Sequence, residues 1–129
     1  MTVVRPDQLQ FRDFPGRSTS DPFREAGPGA STVRQVAIDY VPARSPHLHP
    51  QSEEIVYVVA GRGRVWLDGV FFAVEPGSWY RIPARTPHAT LADRGERLSL
   101  VCFFPHDDFA NNIEELELVI EAEQEDKFG

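Results

Sequence analysis

The sequence has little of what several protein classes require. Its 129 residues contain one cysteine, Cys102, so no internal disulfide can form, as expected in a reducing compartment. No segment approaches the roughly 20 apolar residues of a membrane span, and residues 1–10 lack the apolar stretch of a signal peptide. We therefore expect one soluble, cytoplasmic domain with no membrane partner.

Positive charge is also scarce, and the negative charge is unevenly placed. The net charge is −7, and residues 113–129 carry seven acids against Lys127, a net −6 that leaves −1 for the rest. Because no basic patch can neutralise phosphates, we expect no nucleic-acid partner. The acidic C-terminal segment, residues 113–129, is expected to keep the C-terminus in water.

Proline and glycine divide the chain into short apolar segments, which is typical of the strands of a β-sandwich or barrel. Asp68-Gly69, between two apolar triplets, predicts a tight β-hairpin. The predicted strands are residues 32–41, Glu54–Ala60, 64–67, Val70–Val74, 78–82, 90–92 and Arg97–Phe104.

The two ends of the chain depart from this pattern. Residues 1–31 include a stretch rich in serine, glycine and proline, so we expect an N-terminal arm before a barrel at residues 32–112. The apolar positions of residues 113–123 fit either one face of a helix or the alternation of a strand. We favour a helix, because glutamate has the higher helix propensity.

Three of the four histidines lie in two short segments that together can form a metal site. On a strand, His47 and His49 share a face about 6.8 Å apart, and both can lean onto one ion at roughly 2.1 Å. A carboxylate follows at Glu53 or Glu54, and His88 comes from a later segment. Imidazoles and a carboxylate are suitable ligands for a first-row transition metal.

Glycine and proline recur at fixed distances from these histidines. The first segment reads His47-Leu48-His49, four residues, Glu54, six residues, Gly61, and the second reads Gly77, five residues, Pro83-Ala84-Arg85-Thr86-Pro87-His88.

The two segments, in this order and separation, resemble the two motifs of the cupin superfamily, in particular its small single-domain metal-binding members (Cupin_2-like). This resemblance implies an all-β fold, the double-stranded β-helix or jelly-roll barrel. It also implies one divalent transition metal (Fe, Mn, Ni, Cu or Zn) held by three histidines and one glutamate. Carried onto this chain, the implied metal ligands are His47, His49, Glu54 and His88.

One ligand position in these motifs has an alternative, and one turn position departs from the family. Glu53 remains the alternative to Glu54, but Glu54 stands seven residues before Gly61, which is the spacing of the family, and shares a strand face with Val56. Arg85 occupies a position at which the family usually has glycine, in a turn that often needs a permissive backbone.

The implied ligand set lacks a thiolate and leaves room on the ion for water or substrate. We therefore expect a metal-dependent enzyme acting on a small organic substrate, foremost a dioxygenase-type oxidoreductase. One alternative is a non-redox isomerase, lyase or decarboxylase, and another is a non-catalytic small-molecule-binding module. Tyr80 is the candidate catalytic residue, for proton transfer or substrate orientation, while Arg81 and Arg85 are candidates for meeting an anionic substrate.

The expected macromolecular partner is a second copy of the chain. The resemblance to small cupins implies a homodimer joined at the barrel edge, an arrangement that also covers exposed strand edges. Residues 1–31 are the expected dimer contact.

Overall fold

The computed structural model describes residues 2–27 and 29–123, and almost all of its regular structure is antiparallel strand. No helix in this part of the chain is long and apolar enough to cross a membrane. The described residues contain one short 3-10 helix, Pro6–Gln8. The strands are β1 (Phe11–Phe14), β2 (Arg17–Ser20), β3 (Thr32–Asp39), β4 (Ala43–Arg44), β5 (His47–Leu48), β6 (Glu54–Ala60), β7 (Gly63–Leu67), β8 (Val70–Val74), β9 (Trp79–Ile82), β10 (His88–Ala92), β11 (Arg97–Phe104), β12 (Glu114–Glu115) and β13 (Ile120–Glu121).

Two sheets make the barrel. The larger has the strand order β1-β2-β3-β11-β6-β9, and the second has the order β12-β5-β10-β7-β8. Strands β13 and β4 form a separate pair. Some strands that are adjacent in the larger sheet, such as β3 and β11, are far apart in the chain. Two facing antiparallel sheets with connections of this kind form a jelly roll, so the predicted jelly-roll barrel is confirmed.

The core lies between the two sheets. Val58 of β6 and Leu100 of β11 pack in one buried cluster with Val65 of β7, so both sheets contribute to it. Burial alternates along β6, as expected for a strand with one face in the core. A second cluster around Trp66 lies on the other face of β7, where Ile120 of β13 covers it.

Two turns have the backbone that their residues predict. Asp68 and Gly69 both have positive φ, +44° and +103°, and they join β7 to β8 as the predicted hairpin. Gly61 has φ +86°, and a Cβ atom there would lie 2.1 Å from the carbonyl oxygen of Arg97. Glycine is therefore required at this point of the first motif.

The strand predictions are accurate in the barrel. Glu54–Ala60, Val70–Val74 and Arg97–Phe104 have the predicted bounds, and the other four differ by one or two residues at an end. These segments alternate apolar and polar residues with turn residues at both ends, so the local sequence defines them.

The predicted helix at residues 113–123 is wrong. This segment contains β12 and β13, which pair with β5 and β4. The backbone N–H of Leu116 donates to the carbonyl of Pro46, and that of Ala122 donates to Pro42. Pairing with exposed strand edges therefore overrides the helix propensity of glutamate.

The N-terminal segment is also more ordered than an arm. Strands β1 and β2 form a hairpin, and β2 pairs with β3, so the segment extends the larger sheet. Thr19 and Ser20 are buried. The sequence of β2, Arg17-Ser18-Thr19-Ser20, contains no apolar residue, which is why periodicity did not reveal it.

Candidate metal centre and its cavity

Two neighbouring strands bring the three motif histidines together. His47 of β5 lies opposite His88 of β10, and His49 follows β5 directly. The centroids of the three rings are 4.5 to 5.0 Å apart. One ligand nitrogen from each ring lies within 4.8 Å of the others, so the three histidines can hold a metal ion.

Glu54, the first residue of β6, points at these rings. Its carboxyl group is buried, and its Oε1 lies 3.2 Å from Nε2 of His49 and 3.2 Å from Nε2 of His88. Glu53 points away and pairs with Nε of Arg81 at 3.2 Å. Neighbouring residues of a strand face opposite sides, so the structure brings Glu54, and not Glu53, to the histidines.

Backbone carbonyl groups fix the orientation of two rings. Nδ1 of His49 lies 2.6 Å from the carbonyl oxygen of Asn112, and Nδ1 of His88 lies 2.9 Å from that of Thr86. Since a carbonyl only accepts hydrogen bonds, each Nδ1 carries the proton. A neutral ring then presents the lone pair of Nε2 toward Glu54.

These atoms fit a metal site. The Nε2 atoms of His49 and His88 are buried without a hydrogen-bond partner among the described residues, so their contacts with Glu54 lack hydrogen-bond geometry. Two ring nitrogens and a carboxylate oxygen therefore converge on one point. When the rings are neutral, these three electron-rich atoms are donors that a divalent ion can bind.

The pKa shifts agree with this arrangement. Burial, with repulsion from His88 and His49, lowers the pKa of His47 to about 3, so this ring is neutral at neutral pH. Burial alone would raise the pKa of Glu54, but hydrogen bonding and attraction to His49 and His88 in their protonated forms outweigh burial and lower it. A positive ion bound among these residues would favour the ionised carboxylate in the same way. Neutral imidazole and ionised carboxylate are the forms that bind metals.

Arg85 contributes to this centre through its backbone. It has φ +66°, the left-handed conformation in which the family commonly uses glycine. Its N–H donates to the carbonyl of His49 at 2.9 Å, which holds the turn of the second motif against the first. The side chain of Arg85 is exposed.

A cavity of about 910 Å³ opens beside the three histidines and Glu54. Tyr80 lines it, and its hydroxyl lies 2.9 Å from Oγ1 of Thr90. Burial raises the pKa of Tyr80 well above its usual value, so the phenol stays protonated at neutral pH. Its apolar walls include Val56, Ile82, Leu100 and Phe104.

The arginines that line the cavity are not those named from the sequence. Arg81 forms an exposed ion pair and Arg85 lies in an exposed turn, and neither lines the cavity. Five others line it instead: Arg17, Arg34 and Arg44, which are half-buried, and the exposed Arg12 and Arg24. The position of Arg34 could have been predicted from the sequence. It lies four residues before the buried Ile38 on β3, and therefore on the same, inward face of the strand. Arg17 and Arg44 lie on strands that periodicity did not predict.

The model of the cupin domain family (Cupin_2) matches residues 38–104, which is more than half of the chain. An uncharacterized protein of Methanocaldococcus jannaschii is 48% identical over 42 residues, or 33% of this chain and 34% of that protein. The match therefore spans about a third of the length of that relative.

Solved structures show the same fold at low sequence identity. KdgF from Halomonas sp. is 23% identical with a TM-score of 0.70, covering 84% of this chain and 97% of that one. The polyketide cyclase RemF from Streptomyces resistomycificus is 17% identical with a TM-score of 0.72, covering 97% and 87%. Oxalate decarboxylase from Lactobacillus farciminis is 23% identical with a TM-score of 0.70, covering 85% and 34%. With its family match and its jelly-roll barrel, the chain belongs to the cupin family.

Proposed function

We propose that this protein is a metal-dependent enzyme acting on a small organic substrate, with His47, His49, Glu54 and His88 as ligands of one divalent transition metal. The observation that carries the proposal is the convergence of unpartnered Nε2 atoms and a buried carboxylate oxygen at the wall of a cavity. A purely structural metal site closes its coordination shell and has no need of such a cavity. The cavity gives a substrate access to the ligands.

When bound, the ion would supply Lewis acidity. If the ion is iron, manganese, nickel or copper, it would also supply redox chemistry with dioxygen. Dioxygenase-type oxidation is the first candidate because several apolar side chains lie beside the ligands. The ring of Phe104 lies 4.7 Å from that of His49, and Val56 and Leu100 line the same cavity. Apolar side chains at these positions limit the contact of water with the reacting groups.

A non-redox isomerase, lyase or decarboxylase is the second candidate, and Tyr80 favours it. Its protonated phenol can donate a hydrogen bond or a proton to negative charge that develops on a substrate. The contact with Thr90 orients the hydroxyl, and Val56 of β6 lies directly opposite Tyr80 in the sheet. Tyr80 is thus our proposed catalytic residue in either reaction.

The experiment compares Glu54→Gln with Glu53→Gln, a matched control whose side chain lies in an exposed ion pair. Each protein is loaded in turn with iron, manganese, nickel, copper or zinc and given enol, catechol and keto compounds, with oxygen uptake and product formation as readouts. We expect turnover by the wild type and the control, with a loss of roughly tenfold or more in Glu54→Gln.

The outcomes separate the candidate functions. Oxygen consumption coupled to product selects the dioxygenase, and turnover with zinc without oxygen selects the non-redox reaction. Absence of turnover with every metal, together with ligand binding that persists after metal removal, would contradict an enzyme and favour a binding module.

We also propose that the protein is a homodimer joined through its N-terminal hairpin. Strand β1 is the edge of the larger sheet, and Phe11 and Phe14 on it are 51% and 46% exposed. An edge strand with exposed aromatic residues offers hydrogen bonds and apolar area to a second copy. Light scattering of a Phe11→Ser/Phe14→Ser variant should show a monomer, and an intact dimer would contradict this contact.

A further inference from the structure

Two groups of arginines can be distinguished among the twelve of this acidic protein. Four exposed arginines each form an ion pair with a carboxylate. Five arginines line the cavity, and the three that are half-buried, Arg17, Arg34 and Arg44, form no ion pair with any residue in the described ranges. The lining also contains carboxylates, but none of them forms an ion pair with these three guanidinium groups. The four surface arginines are Arg62, Arg81, Arg94 and Arg97.

The three half-buried arginines of the cavity come from adjacent parts of the fold and lie near one another. Arg17 is on β2, Arg34 on β3 and Arg44 on β4, and all three are half-buried. Burial, followed by repulsion from Arg17, lowers the pKa of both Arg34 and Arg44. The guanidinium of Arg34 lies 4.1 Å from the ring centroid of Phe109, which holds it in place over an apolar surface.

Several polar atoms around this cluster lack partners. Nε and Nη2 of Arg44 are buried and donate to no described residue. Oγ1 of Thr19 is equally buried and unpartnered, and Thr19 lines the same cavity. Buried donors without acceptors are costly, above all when they carry charge. An oxyanion would satisfy them, because guanidinium groups bind carboxylates through paired, charge-assisted hydrogen bonds.

We propose that Arg17, Arg34 and Arg44 form an anion subsite that binds a carboxylate of the substrate, so that the substrate is a small organic acid. This inference rests on the proposed function, since the subsite and the candidate metal ligands line one cavity. The acid would place its carboxylate on the arginines and its reacting end at the histidines. Carboxylates in the same lining, among them Asp21 and Asp108, reduce the positive charge, which favours a carboxylate over a doubly charged phosphate.

The test measures ligand binding by calorimetry on EDTA-treated protein at constant ionic strength. The probes are malonate, its neutral analogue malonamide, and inorganic phosphate. We expect malonate to bind the metal-free protein and malonamide to bind roughly tenfold more weakly or worse. Arg44→Gln should weaken malonate binding by a similar factor, while Arg81→Gln, a control outside the cavity, should leave it unchanged.

Equal binding of malonate and malonamide by the wild type would overturn the subsite, whether or not Arg44→Gln folds. Tighter binding of phosphate than of malonate would overturn the carboxylate assignment. Arg44→Lys keeps the charge but loses the paired geometry, so it should bind malonate more weakly than the wild type. Malonate binding by a protein that takes up no metal would contradict only the proposed function. Metal binding without malonate binding would contradict only the subsite.

Discussion

Nδ1 of His49 lies 2.6 Å from the backbone carbonyl oxygen of Asn112, which follows 63 residues later in the chain. Asn112 is fully buried, and its side chain accepts from the N–H of Gln51 at 2.7 Å and donates to Oγ of Ser52 at 2.9 Å. Asn112, which lies between β11 and β12, thus holds both the His49 ring and the loop that leads to Glu54.

Replacing Asn112 with alanine should therefore affect both stability and metal binding. The loss of two buried hydrogen bonds should lower the free energy of unfolding by about 2 kcal/mol. Alanine keeps the carbonyl that faces His49 but loses the side-chain bonds that hold this carbonyl and the loop in place, so metal affinity should fall by roughly tenfold. Urea denaturation and chelator competition measure the two quantities. Asn111→Ala, an exposed neighbour, is the control, and unchanged metal affinity in Asn112→Ala would contradict the supporting role.

The left-handed conformation of Arg85 gives a second prediction. A side chain at φ +66° costs free energy that glycine avoids, so Arg85→Gly should raise the free energy of unfolding by about 0.5 kcal/mol. Gly77→Ala is the matched reverse change, since Gly77 has φ +92° and open space around it, and it should destabilise. Thermal denaturation compares both variants, and destabilisation by Arg85→Gly would mean that the arginine side chain has a role of its own.

Burial of neutral His47 predicts how stability depends on pH. Its pKa is about 3 in the folded state against 6.5 ordinarily, so between these values the unfolded state binds more protons. The contribution of neutral His47 to the free energy of unfolding of the metal-free protein is therefore complete above pH 6.5. It falls as the pH decreases from 6.5 toward 3. Near pH 5 the loss due to His47 is about 2 kcal/mol.

Urea denaturation of EDTA-treated wild type and His47→Gln, near pH 7.5 and near pH 5, measures this effect. The variant should lose about 2 kcal/mol less stability than the wild type between the two conditions. Equal losses would show that His47 is not held neutral in the folded protein.

The barrel and the positions of the histidines could be predicted because their signals are local. Alternating apolar and polar residues defined strands such as Glu54–Ala60, and the Asp68-Gly69 turn fixed a hairpin. The spacing of His47, His49 and His88 around turn residues indicates a shared site from the sequence alone.

The remaining features depend on long-range pairing that local sequence does not encode. The C-terminal segment forms strand because exposed edges of β5 and β4 accept it, against its own helix propensity. Asn112 lies close to His49 because β12, which follows it, pairs with β5. Arg17 and Arg44 enter the cavity on strands with too few apolar residues to be recognised.

Elemental analysis tests the central claim most directly, on protein purified without chelators or an affinity metal column. The account predicts about one equivalent of iron, manganese, nickel, copper or zinc in the wild type and in His106→Ala, whose histidine lies outside the site, and its loss in His49→Ala. Absence of metal from the wild type, or full metal content in a folded His49→Ala, would contradict it.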